Sequence, residues 1–142
     1  MSSNSPLERR IVATRTSARP PSRGPSPARR VRERAGRRAE TIAVWWLRLH
    51  GWSILARRAR VRGGEIDIVA RRGRIIAFVE VKARRTDFAA DLALEPWRLR
   101  RVFAAAEHLF ERWRRPGDDM RVDAMLIVAG RWPRHIVNLW RD

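Results

Sequence analysis

The sequence predicts an α/β fold of the α+β kind, a mixed sheet with helices packed against it, on three observations. Apolar residues recur at helical spacing near Ile42 and again from Leu99 to Trp113, while the stretches between and after them are β-branched and strand-like, giving the order αβββαβ. The runs 65–70 and 74–83 are joined by too few residues for a crossover, so they form an antiparallel hairpin. Finally, 142 residues leave room for one core and a tail rather than two separate cores.

The tail comes first. Residues 1–38 hold 11 arginines against two acids, Glu8 and Glu33, with prolines and serines between them. Such a segment cannot bury enough apolar area to offset its ordering entropy, so residues 1–35 are expected to be a disordered basic arm and 36–142 the folded domain. An acid-poor, Arg- and Ser-rich start also resembles an organelle transit peptide, but its prolines discourage the amphipathic helix that role needs. In the first helix Ile42, Trp45, Trp46 and Leu49 make one stripe and Glu40, Ala43, Val44 and Leu47 another, so it reads as apolar nearly all round and wedged between two surfaces. Glu40 then points inward, and Gly51 ends the helix.

Trp52 to Val61 is an arginine-rich strand, Gly63-Gly64 a turn or bulge, and Arg71-Arg72-Gly73 the hairpin connector. Pro96 sits at a first-turn position of the second helix, whose stripe is Leu99, Val102, Phe103, Ala106, Phe110 and Trp113. Pro116-Gly117 breaks it, Met120 to Ala129 is a strand, and His135 to Trp140 a last short element. There is no internal repeat.

Composition narrows function. A net charge of +17 attracts polyanions, nucleic acid above all. No cysteine is present, so disulfides and thiolate metal sites are excluded, and a reducing cytoplasm is the expected location. Apolar runs such as Ala124 to Gly130 are far short of the roughly 20 residues of a membrane helix, so no membrane partner is expected.

Side chains two apart on a strand share a face, which groups Glu65 with Asp67 and Glu80 with Lys82. With the hairpin centred near Arg72, Asp67 lies across from Ala77 to Val79, close enough for two carboxylates and an ammonium to converge. The flanking residues, Ile66, Ile68, Phe78, Val79 and Val81, are apolar, and charges among them are costly unless paired or metal-bound. Lys82 is also the one lysine among 32 basic residues, a compact cation where the chain otherwise uses arginine. The competing reading of the trio is a structural ion-pair cluster. Glu65 reads as a salt-bridge partner of an arginine, Asp123 as the polar side of a strand, and none of the three histidines as catalytic. Trp132, beside Pro133, reads as exposed and able to stack on a base.

Gly64-Glu65-Ile66-Asp67 followed by Phe78-Val79-Glu80-Val81-Lys82 resembles the PD-(D/E)xK nuclease superfamily and, more closely, the YraN family of small bacterial proteins, over about residues 36–140. The likeness extends to Glu40, Gly51-Trp52-Ser53-Ile54-Leu55-Ala56-Arg57, Arg121-Val122-Asp123 and His135-Ile136. Two departures are a long basic arm and Trp97-Arg98 where the family usually carries a lysine.

The resemblance implies a restriction endonuclease-like core, similar to Holliday-junction resolvases. It implies Mg²⁺ or Mn²⁺ held by Asp67, Glu80 and the Val81 carbonyl, with Glu40 as a further ligand, and Lys82 acting on the attacking water. Arg57, Arg58, Arg60, Arg62, Arg84 and Arg85 border that site and are expected to contact phosphates. Arg98 and Arg101, with Arg100, lie in a helix N-terminal turn where cations are mildly unfavourable unless a phosphate binds. The expected activity is metal-dependent hydrolysis of DNA in preference to RNA, branched or structured DNA included. Paired nicks would require a homodimer. The alternative is a nucleic-acid-binding protein that keeps the nuclease fold without turnover, its affinity salt-sensitive and sequence-independent.

Overall fold

The computed structural model describes residues 24–84 and 96–139, the side chains of Arg84 and of 96–98 excepted. Helix α1 spans Pro27–Leu49, followed by β1 (Ser53–Val61), β2 (Gly64–Arg72), β3 (Ile75–Arg84), α2 (Pro96–Trp113), β4 (Asp119–Val128) and β5 (Arg134–Ile136). The strands form one sheet in sequence order, β1-β2-β3-β4-β5. Every neighbouring pair is antiparallel except β3 and β4, which are parallel and joined through α2. This is the expected mixed α/β arrangement, consistent with a restriction endonuclease-like fold. Among the described residues no helix is long and apolar enough to cross a membrane.

The first helix begins inside the segment expected to be a disordered arm. Ser26 caps it, its hydroxyl accepting from the Arg29 N–H at 3.3 Å, and Pro27 supplies the preset φ of a first helical residue. An i,i+4 ion pair between Arg29 and Glu33 at 3.0 Å adds a little more. Local cap chemistry thus starts a helix well before Ala39, its first buried residue. Its other end closes as a Schellman motif: Trp52 N–H donates to Leu47 O and Gly51 N–H to Arg48 O, with Gly51 at φ +84°.

Only one of the two expected stripes of α1 is buried. Ala39, Ala43, Val44 and Leu47 pack with Trp52, Ile68, Ala70, Ala77, Val79, Met125 and Ile127 on one side of the sheet. Ile42, Trp45 and Leu49 remain 44%, 59% and 79% exposed, because among the described residues no second layer covers the outer side of this helix. Truncating fully buried Leu47 to Ala would cost about 2–5 kcal/mol. On the opposite side of the sheet, α2 presents Ala105, Ala106 and Leu109 to Ile66, Val69, Ile76, Phe78 and Val122.

The hairpin differs from expectation by a small step that matters. Arg72 pairs with Ile75, so the tip is Gly73-Arg74, with Gly73 at φ +60° as a tight two-residue turn requires. That displaces the register, and Asp67 falls level with Glu80 itself rather than short of it. Arg71 anchors the hairpin to the α2–β4 connection, donating to Asp118 Oδ2 and to Trp113 O, each at 2.8 Å.

Candidate active site at the fork of the sheet

The ladder between β2 and β3 ends at the Ile68–Val79 pair. Beyond it β2 continues beside β1 as far as Gly64, while β3 continues beside β4 as far as Arg84. The sheet therefore forks at Asp67 and Glu80. Val81 has no ladder partner on β2, and the Asp67 carboxylate takes that place, its Oδ2 accepting the Val81 N–H at 2.7 Å. The alternation of β2 also breaks here: Ile66 belongs to the α2-side cluster and Ile68, two residues on, to the α1-side cluster. A regular strand would put both on one face. The break lets Asp67 reach across the fork instead of into either core.

On β3 the alternation is intact, so Glu80 and Lys82 share the face of Ile76 and Phe78. Lys82 Nζ donates to Glu80 Oε1 at 2.8 Å, and both side chains are about one-fifth exposed. Burial, followed by the negative charge of Glu80, pushes the Asp67 carboxyl up to about 7; the Val81 N–H and Lys82 act in the opposite direction, and Glu40 adds to the upward push. The expected convergence of Asp67, Glu80 and Lys82 is therefore what the fold produces. Two carboxylates meeting in a half-buried fork repel one another, and the single Lys82 ammonium offsets only one of the two charges. All the available donors are hard oxygens, including the Val81 carbonyl, which projects from the same edge of β3 as its N–H; such a donor set fits Mg²⁺ or Mn²⁺.

Glu40 is placed differently from the ligand role expected for it. It is buried as expected, at 9% exposure, but its Oε2 accepts from Arg58 Nε at 2.9 Å, with Arg57 at 3.9 Å. Among the described residues no three His, Cys, Asp or Glu side chains group closely enough to hold a metal ion, so Glu40 does not join Asp67 and Glu80 in one cluster. Arg58 has φ +50°, a left-handed conformation that costs a non-glycine residue about 1–2 kcal/mol. Its neighbours Arg57 and Ala59 pair with Ile68 and Ile66, so this kink lies level with Asp67. The hydrogen bond and charge of Glu40 raise the Arg58 pKa further.

The other arginines divide. Arg57 also donates to Thr41 Oγ1 at 3.4 Å, and Arg60 is paired with Glu65 at 2.9 Å, the kind of partner foreseen for that glutamate. Arg62 and Arg101 line one cleft of about 470 Å³ with His108, Arg101 also donating to Gly63 O at 3.2 Å. The Arg84 and Arg98 side chains and Arg85 lie outside the described residues.

Two segments of the family likeness, Arg121-Val122-Asp123 and His135-Ile136, meet in a second polar centre. Asp123, expected on the polar side of a strand, is fully buried and accepts four hydrogen bonds: two from Arg121 at 2.8 and 2.9 Å, one with His135 Nε2 at 2.8 Å and one from Asn138 N–H at 2.9 Å. Burial alone would raise its pKa, but the bonds with His135, Arg121 and Asn138 outweigh burial and hold it low. Asp123 pairs with Val79 on β4, and alternation turns it away from the face of Glu80. The available signal was an acid one residue ahead of the apolar run Ala124 to Val128.

The family model described as "Uncharacterised protein family UPF0102" matches residues 39–127, which contain the whole fork. The chain belongs to this family. Among UPF0102 proteins, that of Sphingopyxis alaskensis is 58% identical over 109 residues, covering 77% of this chain and 94% of the relative. The Erythrobacter litoralis protein is 49% identical over 113 residues, covering 80% and 97%. A Parvibaculum lavamentivorans UPF0102 protein is 52% identical over 109 residues, covering 76% and 82%. The YraN resemblance read from Asp67, Glu80 and Lys82 and their surroundings thus leads to the same family as the whole-chain comparison.

Proposed function

We propose that this UPF0102 protein is a divalent-metal-dependent phosphodiesterase acting on nucleic acid, with DNA, branched or structured forms included, as its substrate class. The observation that carries the reading is the meeting of Asp67, Glu80 and Lys82 at the fork, with Asp67 Oδ2 on the Val81 N–H at 2.7 Å and Lys82 Nζ on Glu80 Oε1 at 2.8 Å; burial first, then the charge of Glu80, pushes the Asp67 carboxyl up to about 7. Asp67, Glu80 and the Val81 carbonyl would hold Mg²⁺ or Mn²⁺. A bound ion there supplies Lewis-acid polarisation of a phosphoryl oxygen and a lowered pKa for water.

The chain's own groups account for the rest. The bond from Val81 N–H holds the Asp67 carboxylate through Oδ2. Lys82, donating to Glu80, acts as a cation that orients the attacking water and offsets charge gathering on the phosphoryl oxygens as the new P–O bond forms and the ester P–O bond breaks. Arg62 and Arg101 present guanidinium groups to backbone phosphates along the neighbouring cleft. Two copies would be needed for paired nicks, and a reducing cytoplasm suits a cysteine-free chain.

Single-stranded, duplex and four-way-junction DNA incubated in Mg²⁺ or Mn²⁺ provide the test. Cleavage of at least one of these by the wild-type protein, lost in Asp67→Ala and in Lys82→Ala, is the expected result. The engagement of Glu40 by Arg58, which leaves the fork with two carboxylates, favours the binding-only alternative. Tight binding with no cleavage of any substrate would establish that alternative in place of the enzyme.

A further inference from the structure

On the α1 side of the sheet, away from the face of Glu80 and Lys82, lies an aromatic surface that the hydrolytic reading does not use. Trp132 is 85% exposed, the most exposed of the large apolar side chains on the described surface. Its ring centroid is 6.2 Å from that of Trp46, inclined at 48°, and Trp46 in turn lies 4.0 Å from His50 at 32°. Trp45, 59% exposed, has the Arg48 guanidinium 5.8 Å from its ring centroid.

The outermost ring is held on a short scaffold. Gly130 takes φ +74°, Arg131 N–H closes a turn onto Val128 O at 3.1 Å, and Pro133 fixes the chain just after the indole. An exposed indole presented this way loses little conformational freedom when something stacks on it. Charge then selects the ligand. Neither contributing segment, 43–50 or 129–139, contains a carboxylate, and each carries an exposed arginine, Arg48 on the Trp45 side of the helix and Arg134 two residues after Trp132. A row of π-faces bordered by guanidinium groups is the chemistry that takes unpaired bases on the rings and phosphates on the arginines. Duplex DNA, with its base faces already stacked, offers such rings nothing.

We infer that the exposed Trp132 indole, backed by Trp46 and His50, is a stacking platform for single-stranded nucleic acid, with the exposed arginines of the same two segments taking its phosphates. The inference takes its ligand class from the nucleic-acid reading of the fork but requires no turnover. Trp132 lies in the connection leaving β4 at Val128, the residue paired with Arg84 of β3 two positions beyond Lys82. His50 lies toward the other end of the sheet, its carbonyl accepting from Arg72 Nη1 at 3.2 Å beside the hairpin tip, so the rings run along the α1 side of the sheet and not at the mouth of the fork.

Fluorescence anisotropy with dye-labelled oligothymidylate of about 12 nucleotides, run in EDTA on the full chain beside a blunt duplex of equal length, tests this directly. Trp132→Ala is expected to weaken single-strand binding at least about fivefold, the low end for one stacked base, with duplex affinity and thermal midpoint unchanged. Trp132→Phe, which keeps a ring, is expected to restore most of the loss. Equal single-strand affinity in wild type and Trp132→Ala overturns the inference, as does an equal loss for both nucleic acids. So does a variant whose only defect is in self-association or in binding anionic vesicles, since a second copy or a lipid surface would then be the occupant. Because the assay contains no divalent ion, absence of cleavage in the metal-containing reactions would defeat the proposed enzyme and leave this result standing.

Discussion

Replacing Asp67 by Asn should stabilise the metal-free protein at neutral and alkaline pH. The Asp67 pKa rises from 3.8 to about 7 on folding, so the folded state holds that proton more tightly than the unfolded chain does. The cost of ionising the group is absent below pH 4, grows as pH rises to 7 and is complete above it. About three pKa units correspond to roughly 4 kcal/mol, which partial solvent access to the fork reduces to about 2 kcal/mol. Asn keeps an oxygen for the Val81 N–H and removes the charge. At roughly 4–8 °C per kcal/mol for a domain of this size, Asp67→Asn should melt on the order of 10 °C above wild type at pH 8 in EDTA, the difference closing by pH 4. A saturating Mn²⁺ concentration, about 100 times its Kd, should raise the wild-type stability by about 2.7 kcal/mol and leave the variant unchanged. Thermal melts at pH 4 and 8, with and without Mn²⁺, would measure all four quantities. A variant that melts at or below wild type at pH 8, or that gains as much from Mn²⁺, refutes the reasoning.

Three further variants probe the surroundings. Lys82→Arg keeps a cation beside Glu80 but replaces a compact ammonium with a planar fork, so single-turnover cleavage should fall about 100-fold with little change in melting temperature; undiminished cleavage would show that any cation suffices. Asp123→Ala leaves Arg121 and His135 without their buried acceptor and should cost about 3–5 kcal/mol in urea denaturation, whereas cleavage per folded molecule should be preserved, since Asp123 faces away from the fork. Arg62→Ala with Arg101→Ala should lower the slope of log affinity against log salt by about 2 for duplex DNA, and an unchanged slope would remove both from the phosphate contacts.

The parts of this protein legible in its sequence are those set by local periodicity. Val102, Ala106 and Trp113 mark the buried face of α2, and the isolated acids of Ile66-Asp67-Ile68 and Val79-Glu80-Val81 stand out because charge amid apolar strands demands a partner. Tertiary context decided the rest. Ile42, Trp45 and Leu49 have the spacing of a buried stripe, and they are exposed because among the described residues no layer covers that side of α1. Ser26-Pro27 is a helix start overshadowed by the arginine-rich composition around it. Moving the hairpin tip to Gly73-Arg74 changed which residue Asp67 faces, and sequence fixes a turn less sharply than it fixes a strand. The partners of Glu40 and Asp123 depend on side chains 18 and 12 residues away, Arg58 and His135, which no local pattern connects.

The central claim is that Asp67 and Glu80 close on a divalent ion where β2 and β3 part. Crystals grown with Mn²⁺ and measured at its absorption edge test this most directly. One anomalous peak is expected within bonding distance of both carboxylates and of the Val81 carbonyl. A protein saturated with Mn²⁺ that shows no peak there, or a peak only at another carboxylate such as Asp123, would contradict it.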